Sequence, residues 1–213
     1  MRRASVARAV GQLTIGSLCA QVLLNAAPVL VAGLAEPGEQ ADAARFVASF
    51  TLVRLPLFVA VPLQSALVPS LVDLGRGADR QALRRVAGRL VGGGLLLAVV
   101  GGLLGWLVGP ALVSLFFGAR YALPGPELGV LAAGTGLSIG LLVAGQALVA
   151  GARHRDAALS WGAGLVAGAV LFAVIPGLIE RAAYSFTGGC AVAFLVASTL
   201  LLRRSGRATA VPA

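Results

Sequence analysis

The sequence has no lysine, a single histidine, two cysteines and only 12% charged residues, against 58% hydrophobic residues and a mean hydropathy of +0.93. So little charge excludes a soluble domain, because one core of this size cannot bury that much apolar surface. The chain reads as an all-α integral membrane protein. One histidine and two cysteines, Cys19 and Cys190, both inside apolar runs, leave no cluster with metal-ligand spacing, so the cysteines read as small packed residues. No glycine-rich nucleotide loop stands in a strand-to-helix context, which disfavours ATP hydrolysis. Neither a metal nor another cofactor is expected. No nucleophile with its base is visible, and His154 in "ARHRD" reads as a solvated loop residue. Asp73 and Asp79 around Arg76 resemble only part of the acidic metal motif of phosphatidyl-alcohol transferases, so a lipid-phosphate enzyme is the least favoured class.

What is present is hydrophobic run after hydrophobic run. A helix needs about 20 apolar residues to cross a hydrocarbon layer of about 30 Å. Six such spans are expected near 12–35, 46–70, 90–117, 128–151, 159–179 and 183–202, with short polar connections. A cleaved signal peptide at the first span is a weaker alternative, since that segment is long and carries polar residues. All seventeen cations are arginines, and their placement between apolar runs points to membrane topology in preference to nucleic acid. Alternate loops hold thirteen and three of them, which places both termini in the cytoplasm. The basic stretch 73–89, "DLGRGADRQALRRVAGR", reads as a cytoplasmic loop with a short amphipathic helix capped by Asp79 and lying on the anionic leaflet. Simple topogenic charge is an equal reading of it.

Polar residues inside the spans carry the functional signal. Thr14, Ser17, Gln21 and Asn25 fall on one face of the first span, continued by Pro28. Amides at that depth are unfavourable against lipid, so they meet other helices or line a wet cavity. The second span carries Arg54, Gln64 and Ser65 and is interrupted by Pro56, Pro62 and Pro69, each of which removes a backbone donor and kinks a helix. Arg54 lies about 12 Å inside the outer boundary by helical rise, too deep for easy snorkelling. No carboxylate lies in any span to pair with it. Its partner is therefore a backbone carbonyl, water, another chain or an anionic substrate. The same absence argues against a proton or sodium relay within the chain. Thr135, Ser138 and Gln146 lie near one face of the fourth span and could extend the polar lining. In the third span Gly101, Gly105 and Gly109 form a ridge of small residues that suits close helix packing, with a shorter version at Gly164 and Gly168.

The stretches "FVASFTLVRLPLFVAVPLQSALVPSLVDLGRGADRQALRR", "GPALVSLFFGARYAL" and "GQALVAGARHRDAALSW" together resemble the polysaccharide-biosynthesis flippases, within the multidrug/oligosaccharidyl-lipid/polysaccharide superfamily. The resemblance is to the C-terminal lobe and covers most of the chain. It implies one lobe of a two-lobed fold, in a multi-pass protein of the inner (plasma) membrane. A second lobe, from another chain or a homodimer, would close a central cationic cavity. The implied activity is alternating-access transfer of a polyprenyl-pyrophosphate-linked sugar from the cytoplasmic to the outer leaflet. Arg54 would then meet pyrophosphate or an acidic sugar, and Gln21, Asn25, Gln64, Ser65 and Gln146 would bond hydroxyls. Members of that family have twelve to fourteen helices, about twice what this chain supplies. The competing readings are a multidrug exporter lobe and an accessory membrane subunit whose glycine ridges are its working surface.

Overall fold

A computed structural model of the chain describes residues 2–59 and 80–204. Gln64, Ser65, Pro62, Pro69, Asp73, Arg76 and Asp79 lie outside the described residues. Among the described residues seven α-helices have set bounds: α1 (Arg2–Leu34), α2 (Gln40–Val53), α3 (Arg80–Leu107), α4 (Gly109–Phe117), α5 (Gly125–Ala150), α6 (His154–Val174) and α7 (Leu178–Arg204), with a 3-10 turn at Ala119–Tyr121 between α4 and α5. Among the described residues five helices are long and apolar enough to cross a membrane, over Val6–Leu34, Arg85–Leu107, Gly125–Ala150, His154–Val174 and Leu178–Arg203. The protein is an all-α membrane protein. The described part of the expected span 46–70 is too short to count among the five.

The expected boundaries differ from the observed ones where proline intervenes. The run 90–117 is two helices, because Pro110 stands in the first turn of α4 and cannot donate into the turn before it, so α3 stops at Leu107. At its other end α3 extends back to Arg80, so residues 80–89 are the first turns of a membrane helix and not a separate surface helix. The run 159–179 ends earlier, at Val174, with Pro176 and Gly177 following. Helix α2 is interrupted at Arg54, two residues before Pro56. There the amide of Leu57 donates to the carbonyl of Arg54 at 2.9 Å, a tighter turn, and residues 55–59 are helical again. Proline at 56 has no N–H for the carbonyl of Leu52 and its ring crowds that turn, which explains the break.

Helix α5 is the centre of the molecule. It packs along α3 and α7 and is buried on nearly every side, with Leu128, Leu131, Leu141 and Leu148 fully enclosed. Lipid tails are as apolar as leucine, so close packing holds helices together in a bilayer. The α3–α5 seam achieves this with glycine: a Cβ built on Gly105 would lie 2.6 Å from Ala132 Cβ and 2.7 Å from the Leu128 carbonyl oxygen. Gly101 and Gly109 approach Ala132 and Leu128 in the same seam. The outer face of α3, including Leu96, Val99, Leu103 and Leu107, is exposed, as suits a lipid-facing surface. Helices α6 and α7 close similarly at Gly164, beside Ala193 and the Gly189 carbonyl, and Leu23 of α1 packs into the same junction. Cys190 is buried in the core and Cys19 half-buried, and both are free thiols.

Hydrogen bonds pin the seams. Thr187 donates to the Val130 carbonyl at 2.8 Å between α7 and α5. At the α6 start Arg153 pairs with Asp156 at 2.7 Å and donates to the Leu200 carbonyl at 2.9 Å, tying α6 to the end of α7. Asp42, Glu127, Asp156 and Glu180 each stand in the first turn of a helix, where the helix dipole favours negative charge.

Candidate functional site

The polar groove is built on α1. Leu23, Leu24, Ala27 and Val31 anchor one side of the helix in the core, which leaves Thr14, Ser17, Gln21 and Asn25 on the exposed side. Within that stripe Asn25 donates to the Gln21 carbonyl at 2.8 Å and to Gln21 Oε1 at 3.0 Å. The two amides are thus locked to each other one turn apart. Asn25 Oδ1 stays available and accepts from Arg54 at 3.2 Å.

Arg54 is brought to Asn25 by an aromatic ladder. Phe46 and Phe50 of α2 stack with ring centres 5.6 Å apart. They stand four residues apart, one helical turn, which puts both rings on the same face. Phe50 meets Phe186 of α7 edge-on at 5.1 Å, which fixes α2 against the bundle. Arg54, one turn beyond Phe50, lays its guanidinium 5.1 Å from that ring. The opposite end of α2 is held by Arg45, which pairs with Asp42 at 3.0 Å and donates to the Arg120 carbonyl at 3.0 Å, and by Ser49, which accepts from the Leu123 amide at 3.3 Å.

The partners of Arg54 are therefore an amide oxygen and a ring face, neither of which carries a formal charge. No carboxylate pairs with it among the described residues, and its Nε is shut off from solvent without an acceptor. The guanidinium keeps donors in excess of acceptors, next to an exposed stripe of amides.

A second part of the groove opens on the other side of Gln21. Helices α1 and α5 scarcely touch, and α6 floors the gap between them. The resulting cavity is about 300 Å³, lined on α1 by Gln12, Ser17 and Gln21, on α5 by Gln146 and Gly145, and on α6 by His154 and Trp161. Gln21 belongs to both parts.

Of the residues singled out from sequence, Gln21, Asn25 and Arg54 form one bonded chain, and Gln146 joins Gln21 across the cavity. Gln64 and Ser65 lie outside the described residues. Thr135 and Ser138 do not extend the lining: both are buried inside α5, where Thr135 donates to the Leu131 carbonyl at 3.1 Å and Ser138 to the Thr135 carbonyl at 2.8 Å. His154 is not a loop residue. It is the first residue of α6, its Nδ1 is buried without a partner, and it borders the cavity. Gln12 and Trp161 are lining residues that the reading of the sequence misses. Trp161 stands seven residues after His154, a spacing that keeps the two near one side of α6, whereas Gln12 stands nine residues before Gln21, half a turn round α1, so spacing gives no signal for it. Compared with protein-family models, with curated proteins and with solved structures, the chain matches none.

Proposed function

We propose that this chain is half of a membrane transporter that carries a lipid-linked sugar with an anionic diphosphate from the cytoplasmic to the outer leaflet. The supporting observation is the environment of Arg54, a guanidinium at membrane depth held by Asn25 and the Phe50 ring, without a carboxylate partner among the described residues. A cation so placed costs about 2.5–3.5 kcal/mol on insertion scales, and an anion in the groove would offset that cost. The exposed amide of Gln21 would donate to phosphate or hydroxyl oxygens beside it, while Asn25, whose two N–H groups both go to Gln21, holds the guanidinium. An exposed polar stripe is unfavourable against lipid, which favours a second lobe facing it, from another chain or a second copy. Arginine asymmetry in the loops supports an inner-membrane orientation with both termini cytoplasmic.

A multidrug exporter lobe gains less support, because binding organic cations calls for carboxylates deep in the membrane, and Glu127, Asp156 and Glu180 stand only in the first turns of their helices. As an accessory subunit the chain would need its glycine ridges free for a partner, and Gly101, Gly105, Gly109, Gly164 and Gly168 all meet helices of the chain itself. The test is leaflet exchange of a fluorescent polyprenyl diphosphate in proteoliposomes. Transfer by the unmodified chain, lost in Arg54→Gln and reduced in Gln21→Ala, is the expected result. Equal transfer by all three proteins would remove the basis of the proposal.

A further inference from the structure

We infer that the cavity between α1, α5 and α6 is a binding site for an uncharged, hydroxyl-bearing ring of monosaccharide size, separate from the cation at Arg54. It borrows from the transporter reading only the idea that one molecule could occupy both places, through Gln21.

The lining mixes polar side chains with apolar ones such as Leu13, Leu142 and Val149, and holds no carboxylate and no arginine. Gln12, Ser17 and Gln146 make no side-chain hydrogen bond among the described residues, and His154 Nδ1 is buried with no partner. Trp161 is only 7% exposed, and its indole N–H likewise has no acceptor among the described residues. Buried polar groups are nearly always bonded, so the enclosed imidazole nitrogen marks a place where something else supplies a partner, and the indole N–H and three more accessible side chains stand unengaged around it.

The chemistry of the lining decides what that is. Amides, a hydroxyl, an indole and an imidazole offer donors and acceptors in mixture, which matches a polyol and does not match phosphate. Arg153, close in sequence, is already engaged by Asp156 and the Leu200 carbonyl. The cavity has a volume of about 300 Å³. Small-molecule sites run from about 300 to about 1000 Å³. It therefore stands at the lower end of that range, with room for one pyranose ring. Glycine at 145 keeps it open: a Cβ there would lie 3.8 Å from Trp161 Nε1, an ordinary contact, whereas a longer side chain would fill the space. Water alone could also satisfy these groups, and the experiment separates that case.

Trp161 is its own reporter. The only other tryptophan is Trp106, on the exposed face of α3, so Trp106→Phe leaves one fluorophore. In nanodiscs prepared without sugar detergents, this variant is titrated with methyl glucopyranoside, with methyl N-acetylglucosaminide and with inorganic phosphate. A saturable emission change with a glycoside and none with phosphate is expected. Gln146→Leu should weaken the apparent affinity about tenfold, the equivalent of one or two hydrogen bonds, and Gly145→Leu should abolish the response. Gly145→Leu is read only where its thermal unfolding matches the parent, and Gln146→Leu carries the test otherwise. The glycosides carry no diphosphate, so a failure of diphosphate binding at Arg54 and a failure here are distinguishable. A water-filled cavity would give no saturable change with either glycoside. That result, a response preserved in Gln146→Leu, or a response to phosphate would each overturn the inference.

Discussion

The α3–α5 seam and the α1–Arg54 groove solve opposite problems in the same bilayer. In the seam the facing surfaces are apolar and glycine lets the backbones meet, so Gly105, Ala132 and Leu128 leave no side chain wanting a partner. In the groove two amides are spent on each other, and the guanidinium bonded to Asn25 retains unused donors. The seam is a structure finished within the chain. On the function proposed above, the groove is finished by something outside it. Packing residues and binding residues can thus be told apart by whether their needs are met inside the chain.

The largest effect should come from filling the seam at its glycine. Gly105→Leu forces a side chain into Ala132 and the Leu128 carbonyl. It should destabilise the fold by about 3 kcal/mol or more, read as a lowered melting temperature in detergent. Gly92 lies on the same helix, where an added Cβ meets nothing within 4 Å. Gly92→Leu should therefore stay within about 0.5 kcal/mol of the parent. Similar melting of the two variants would mean that the seam is not what holds α3.

Next in size is the amide that holds the cation. Asn25→Leu removes the hydrogen bond to Arg54 and the link to Gln21. Affinity for a polyprenyl diphosphate should fall about tenfold, which is about 1.4 kcal/mol. Its effect on melting should be small, because the side chain is exposed. Isothermal titration in nanodiscs checks this. A large loss of stability with unchanged affinity would turn the groove into another structural seam.

The smallest effect belongs to Thr187→Val, which deletes one bond between α7 and α5. Interhelical hydrogen bonds in membranes average about 0.6 kcal/mol, so a shift of that size in denaturant unfolding is expected. A loss several times larger would show that polar contacts, and not glycine packing, hold the bundle.

Much of this contrast was legible in residue pattern. The four-residue spacing of Gly101, Gly105 and Gly109 names a packing face, and the spacing of Ser17, Gln21 and Asn25 a polar one, because helical period alone decides which side chains share a face. The partner each face meets was not legible. Nothing in the order of residues says that Phe50, braced by Phe186, carries Arg54 to Asn25, since that contact joins positions 29 residues apart. Helix ends depart from the expected ones where local chemistry overrides hydropathy: Pro110 splits a run that is apolar throughout, and Arg80 begins a helix whose first turns are polar. His154 is misread for the same reason, as charged neighbours give "ARHRD" the look of a loop although α6 begins inside it. Thr135 and Ser138 share their face with Gln146, but short hydroxyls satisfy themselves on backbone carbonyls of their own helix and this glutamine amide does not.

The most direct test of the account is native mass spectrometry of the intact chain with added polyprenyl diphosphate, beside Arg54→Gln. The account predicts that the unmodified chain retains the lipid and that Arg54→Gln loses it while unfolding at the same temperature. Equal retention by both proteins would contradict it, and would leave Arg54 as a cation serving only the packing of α2 on Phe50.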